Sequence, residues 1–353
     1  MWSNFDDACE VFQNIKKVLP EGEKLIGLPK GTNLTIETNI LDAVNGLDLD
    51  EHEIEKYIML NSYIPKLFIY CVVIAFACVQ VSQSGRNMIE RQKELSEEGA
   101  KIESELNIAN AIQKNMLPST FPVFPEYKEF DIYASMKPAK EVGGDFYDMF
   151  LTDENHLAMV IADVSGKGVP AALIMMTART LIKNTALNGN SVDEVFNKVN
   201  QMLCEGNASN HFVTSWFGIL DIRNGRLEFV NAGHNPPLLY SKEKNTFEYL
   251  KTKPNLILAA MDDTKYMKHE INLEIGDKLF LYTDGVTEST NEKDELYGEK
   301  RLQDYLNNHI EQDVENTIKG VKDNIDNFVG NAKQFDDITM LEFLFKEKKG
   351  EDK

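Results

Sequence analysis

Residues 145–163 read DFYDMFLTDENHLAMVIAD. The runs 145–151 and 157–163 are rich in Phe, Tyr, Val, Ile and Met, residue types that suit a pleated, buried surface, and both are expected to be strands. Each has an aspartate at one end: Asp145 opens the first beside Gly143-Gly144, and Asp163 closes the second before Val164-Ser165-Gly166. Further strand candidates lie at 130–136, 212–222, 226–231, 278–283 and 338–345. Helices are expected at 170–186, 192–204, 299–308 and 314–328, where apolar residues recur three and four apart. Neighbouring strand runs are joined by turn residues such as Asn224-Gly225, and the helices arrive in pairs. That order fits an α+β fold, a β-sandwich flanked by helix pairs, better than a doubly wound parallel sheet.

This domain is expected over 121–346, with a charged tail at 347–353. Before it, residues 86–117 read as one long charged helix, since no proline occurs until Pro118. Apolar residues at Met88, Leu95, Ile102, Leu106, Ala109 and Met116 follow a heptad-like spacing that Gln92, Gly99 and Gln113 interrupt. Two readings stay open, a parallel homodimer through this linker as a coiled coil and a solvated helix packed on its own domain. Upstream, the 13 residues at 67–79 (LFIYCVVIAFACV) are all apolar. A spanning helix needs roughly 17–25 residues, so a transmembrane helix over 64–83 competes with a buried helix of a soluble domain. Acidic residues dominate before the run, whereas Arg86, Arg91 and Lys93 follow it. That asymmetry argues for a single-pass membrane protein with its C-terminal side in the cytoplasm, the alternative being a cytoplasmic protein. No cleavable signal peptide is expected, because the first 20 residues lack an apolar centre. Residues 1–63 carry an acidic cluster at Asp48, Asp50, Glu51, Glu53 and Glu55, to which the sequence attaches no role.

The 353 residues are 42% hydrophobic and 27% charged, the range of ordinary globular chains of one large or two modest domains. With 57 acidic against 37 basic residues the formal charge is -20, and no basic patch offsets it. Phosphate backbones would repel such a surface, which excludes a nucleic-acid-binding role. Cys9, Cys71, Cys78 and Cys204 are too scattered for a disulfide framework or a paired-cysteine zinc site.

Chemistry concentrates in four segments that set aspartates beside glycine or in short turns: Val142-Gly143-Gly144-Asp145, Asp163-Val164-Ser165-Gly166-Lys167-Gly168, Thr283-Asp284-Gly285 and Phe335-Asp336-Asp337-Ile338-Thr339. Any one of them reads most simply as a turn or helix cap. Brought to one end of a core, their carboxylates would repel one another and lose solvation, a cost that a bound cation offsets. Oxygen ligands without a supporting His or Cys set favour magnesium or manganese. Two such ions could supply a hydroxide and neutralise a phosphoryl group together.

The stretches ELNIANAIQKNMLP (105–118), PAKEVGGDFYD, DVSGKGVPAAL, FVTSWFGILD, NAGHNPPLL, LYTDGVTE and FDDIT occur in that order. Together they resemble the SpoIIE-like, RsbU-like branch of the PPM-type metal-dependent protein serine/threonine phosphatases, from about Glu105 to Phe345. The resemblance implies two β-sheets flanked by helices and a dinuclear Mn2+ or Mg2+ centre. It implies Asp145 and Asp163 as the carboxylates nearest both ions, the Val164 carbonyl as a further ligand, Asp284 and Asp336 as the remaining catalytic metal aspartates, and Asp337 as a reserve ligand. The reaction implied is direct attack of metal-activated water on phosphoserine or phosphothreonine. The substrate implied is a phosphorylated STAS-type anti-sigma-factor antagonist. A catalytically inactive scaffold that binds a phosphoprotein is the alternative, and a metal-dependent phosphodiesterase a third reading that net charge disfavours.

The pattern departs from the family in two places. Where animal and plant relatives carry a histidine that protonates the leaving oxygen, this chain has Ser165. Where they carry a phosphate-holding arginine, it has Lys140, a point charge instead of a fork. Lys140 is therefore either a substrate phosphate contact or a solvated loop residue. His234, followed by Asn235-Pro236-Pro237, is expected to serve structure, and the segment 173–177 (LIMMT) to pack in the core.

Overall fold

Residues 63–350, other than 206, 208, 209 and 254, are described in a computed structural model. The acidic stretch read at 1–63 lies, apart from Tyr63, outside the described residues. The chain divides into two units, Met1–Leu95 and Ser96–Lys353. Helix α1 (Ile64–Met116) runs through this division as 53 residues of continuous helix. Where the sequence reads an apolar segment and a separate linker, one helix is present. Gly85 between them costs only about 1 kcal/mol relative to alanine, too little to break a helix of good formers. In the first unit Leu67, Phe68, Ile69, Tyr70 and Phe76 are exposed. Among the described residues this is the one helix long and apolar enough to cross a membrane.

In the second unit, α1 is followed by β1 (Phe130–Lys137), β2 (Phe146–Asp153), β3 (His156–Val164), α2 (Val169–Leu187), α3 (Val192–Glu205), β4 (Val213–Asp221) and β5 (Arg226–Ala232). Then come β6 (Leu238–Ser241), β7 (Thr246–Tyr249), β8 (His269–Asn272), β9 (Lys278–Tyr282), α4 (Asp284–Thr287), α5 (Gly298–Asn308), α6 (Val314–Val329) and β10 (Ile338–Phe345). One five-stranded sheet has the order β1-β10-β9-β6-β7, the other β2-β3-β4-β5-β8. Every strand pairing within them is antiparallel. The expected helix-flanked sandwich is the architecture observed.

Helices α2 and α3 cover the β2–β8 sheet, and α5 and α6 cover the other. Central β3 is almost wholly buried, so its residues are apolar on both faces instead of alternating. The α3 positions Val192, Val195, Phe196, Val199 and Leu203 form one buried stripe against the sheet. A second apolar cluster, with Phe280, Tyr282 and Met340 facing Ile318, Val321 and Ile325, seats α6. Asp313 caps that helix, its side chain accepting from the Asn316 N–H. Of the segment 173–177, Met175 is fully buried while Leu173 is exposed, because α2 turns only one face to the sheet.

Strand direction positions the site. Pairing of Phe146 with Ala162 sets Asp145, just before β2, beside Asp163 near the end of β3. Pairing of Tyr282 with Met340 likewise sets the Thr283-Asp284 turn after β9 beside Asp336 and Asp337 before β10.

Candidate active site

Asp145 is buried, and its Oδ2 accepts from the Thr283 hydroxyl at 2.7 Å and the Thr339 hydroxyl at 2.6 Å. These threonines also bind each other's backbone, the Thr339 N–H donating to Thr283 Oγ1 and the Thr283 N–H to the Thr339 carbonyl. The ends of β9 and β10 therefore hold a carboxylate that the other sheet delivers. Asp163 lies beside Asp145, and the two carboxylates act on each other electrostatically. The Val164 carbonyl stands so close to Gly144 that a Cβ there would lie 2.8 Å from its oxygen, so only glycine lets the two strands meet. Gly285 likewise packs the Asp284 turn onto the Asp337 carbonyl.

Electrostatics report the same convergence. Burial, then the charges of Asp163 and Asp337, holds Asp145 well above the usual carboxylate range, against the two threonine hydroxyls. Burial and the charge of Asp284 push Asp163 up to about 7. Burial, then Asp336 and Glu288, pushes Asp284 up to about 6, opposed by the Gly285 N–H and Lys167. Lys167 Nζ lies 2.9 Å from Asp336 Oδ2 and donates to the Phe335 carbonyl. The structure thus brings Asp145, Asp163, Asp284, Asp336 and the Val164 carbonyl to one end of the two sheets.

Asp337 is engaged differently. Its Oδ1 accepts from the Ala139 N–H, and its Oδ2 from the Gly144 and Asp145 N–H groups, so both oxygens hold the loop that leads into β2. Lys140, on that loop, is exposed. Ser165 Oγ accepts from the Phe212 N–H, and its carbonyl lies 2.7 Å from His211 Nδ1. His234 is buried with Nδ1 2.9 Å from the Thr214 hydroxyl, its backbone bracketed by the Asn231 amide. Burial pulls its pKa down to about 4, leaving a neutral structural imidazole.

Sequence reasoning passed over Thr283, Thr339 and Lys167, although each adjoins an aspartate or glycine of the quoted motifs. Hydroxyls flanking two separate aspartates were the available signal.

Among the described residues no group of three or more His, Cys, Asp or Glu side chains is arranged to hold a metal ion. The donor set nevertheless suits a hard divalent cation: only oxygens converge, several repel one another, and one lysine offsets them.

A family model described as Stage II sporulation protein E (SpoIIE) matches residues 153–346. Protein IcfG of Synechocystis sp. is 31% identical over 264 residues, 67% of this chain and 41% of that protein. Phosphoserine phosphatase RsbU of Bacillus subtilis is 30% identical over 224 residues, 64% of this chain and 65% of that protein. The chain thus spans 41% and 65% of these two curated relatives. Among solved structures, the SiaA-PP2C domain of Pseudomonas aeruginosa aligns with a TM-score of 0.61 at 25% identity, covering 70% of this chain and 98% of that domain. With its two helix-flanked antiparallel sheets and a family match over more than half its length, the chain belongs to the SpoIIE family, on the PP2C fold.

Proposed function

We propose that the chain is a protein phosphoserine/phosphothreonine phosphatase of the PPM type that depends on two Mn2+ or Mg2+ ions. The observation that carries this reading is the meeting of Asp145, Asp163, Asp284 and Asp336, drawn from four separate segments, at one end of the sandwich. Those four side chains hold the ions, with the Val164 carbonyl as a further ligand. When bound, the ions supply an activated water and neutralise the phosphoryl charge. Thr283 and Thr339 orient the Asp145 carboxylate, while Asp337 anchors the loop before it and stays in reserve as a ligand. Lys167 and Lys140 are the cations available to an incoming phosphate.

The substrate is a phosphorylated STAS-type anti-sigma-factor antagonist, a reading that rests on kinship with RsbU. Residues 121–346 form the phosphatase domain, and the apolar part of α1 tethers it to a membrane with the domain in the cytoplasm. The rest of α1 links the two; its C-terminal turns pack on the domain through Asn110 and Gln113, and a homodimer contact through the heptad-like positions before them is the alternative.

Asp145→Asn and Asp284→Asn should each lower Mn2+-dependent phosphate release from such a phosphoprotein by about a hundredfold or more while leaving the circular-dichroism spectrum unchanged. Full activity in both variants contradicts the assignment. The rival reading is an inactive scaffold that binds a phosphoprotein. Failure of the wild-type chain to bind Mn2+ at micromolar concentration would decide for it.

A further inference from the structure

Gln113 interrupts the apolar spacing of α1, and a buried amide in such a place costs about 1–3 kcal/mol unless it is paired. It is 4% exposed, and one residue pairs both ends of its amide. Nε2 donates to the Gly143 carbonyl at 2.7 Å, and Oε1 accepts from the Gly143 N–H at 3.1 Å. One turn earlier, the Asn110 amide donates to the Glu141 carbonyl. Residues 138–145 have no regular secondary structure, so their backbone groups need partners from elsewhere. Helix α1 supplies on one side the pairing that a neighbouring strand would give, and Asp337 supplies the other through the N–H groups of Ala139, Gly144 and Asp145.

Gly143 is two residues from Asp145. Fixing both polar groups of Gly143 fixes the direction in which the chain enters β2, and with it where the first carboxylate points. We infer that Gln113 is a positioning residue for Asp145, holding the 138–145 loop in the conformation from which that carboxylate meets Asp163; this rests on the phosphatase reading above. Its amide is read by both a donor and an acceptor, so a side chain offering only one of them holds the loop less well.

The test uses the full-length chain in detergent with Gln113→Ala and Gln113→Glu, Mn2+ as the probe, and two readouts: calorimetric Mn2+ binding, and amide hydrogen exchange at 138–147 with 226–232 as reference. Gln113→Ala should weaken Mn2+ binding about tenfold, as loss of a group that orients a ligand does, and speed exchange at 138–147 but not at 226–232. Gln113→Glu, which keeps an acceptor for the Gly143 N–H but turns a carboxylate oxygen on its carbonyl, should speed exchange at 138–147 at least as much as Gln113→Ala; it carries the test alone if Gln113→Ala does not fold. Mn2+ affinity within twofold of wild type, or exchange that rises equally in both segments, overturns the inference and leaves Gln113 a structural staple. A wild-type chain that binds no Mn2+ overturns the phosphatase reading as well, whereas tight wild-type binding with an unaffected variant removes only the role given to Gln113.

Discussion

At the scale of single residues, the site shows burial setting the state of ionisable groups. Two hydroxyls hold Asp145 in place, and burial keeps its carboxyl above the usual carboxylate range. His234 is the opposite case, a titratable group kept neutral by the same burial. Its folded pKa of about 4 lies below the usual histidine value, so its contribution to stability is complete above pH 6.5 and is lost as pH falls from 6.5 toward 4. The loss should reach on the order of 3 kcal/mol, because the unfolded chain gains a proton that the fold refuses. Urea midpoints of the wild type and His234→Gln, measured from pH 7.5 to 4, should draw together as the pH drops. A difference that stays constant with pH contradicts the assignment.

At the scale of elements, α2 is fastened to the strand that follows Asp145. Asp148, fully buried on β2, lies 2.7 Å from Arg179 and 3.4 Å from Lys183, both on α2. Burial raises the Asp148 pKa and the two cations oppose that rise. Removing Arg179 leaves the buried carboxylate to the more distant Lys183, so Arg179→Met, which keeps the apolar stem, should cost about 2 kcal/mol in chemical denaturation. A loss below about 1 kcal/mol contradicts a buried, coupled pair. The long strands and helices were legible in the sequence because each carries a full buried stripe or run, as β3 and α3 do. Strands β6, β7 and β8 were not. Each has four residues, and β7 and β8 are edge strands whose half-exposed patterns leave no apolar run to read. The aspartates of the site were legible as motifs, whereas Gln113, Lys167 and the bracing threonines were not. Their roles depend on partners 30 to 194 residues away, which spacing along the chain does not encode.

At the scale of the whole molecule, two antiparallel sheets bring their aspartates together because strand ends that lie far apart in sequence share one end of the sandwich. In a chain of formal charge -20, carboxylates gathered in one place repel one another, and a bound cation would offset that cost, as the proposed two-ion centre requires. The most direct test is anomalous diffraction at the manganese edge from crystals of the second unit's residues with their helix, grown in MnCl2. Two anomalous peaks bounded by Asp145, Asp163, Asp284 and Asp336 are expected. Manganese found elsewhere, or not bound at all, would contradict it.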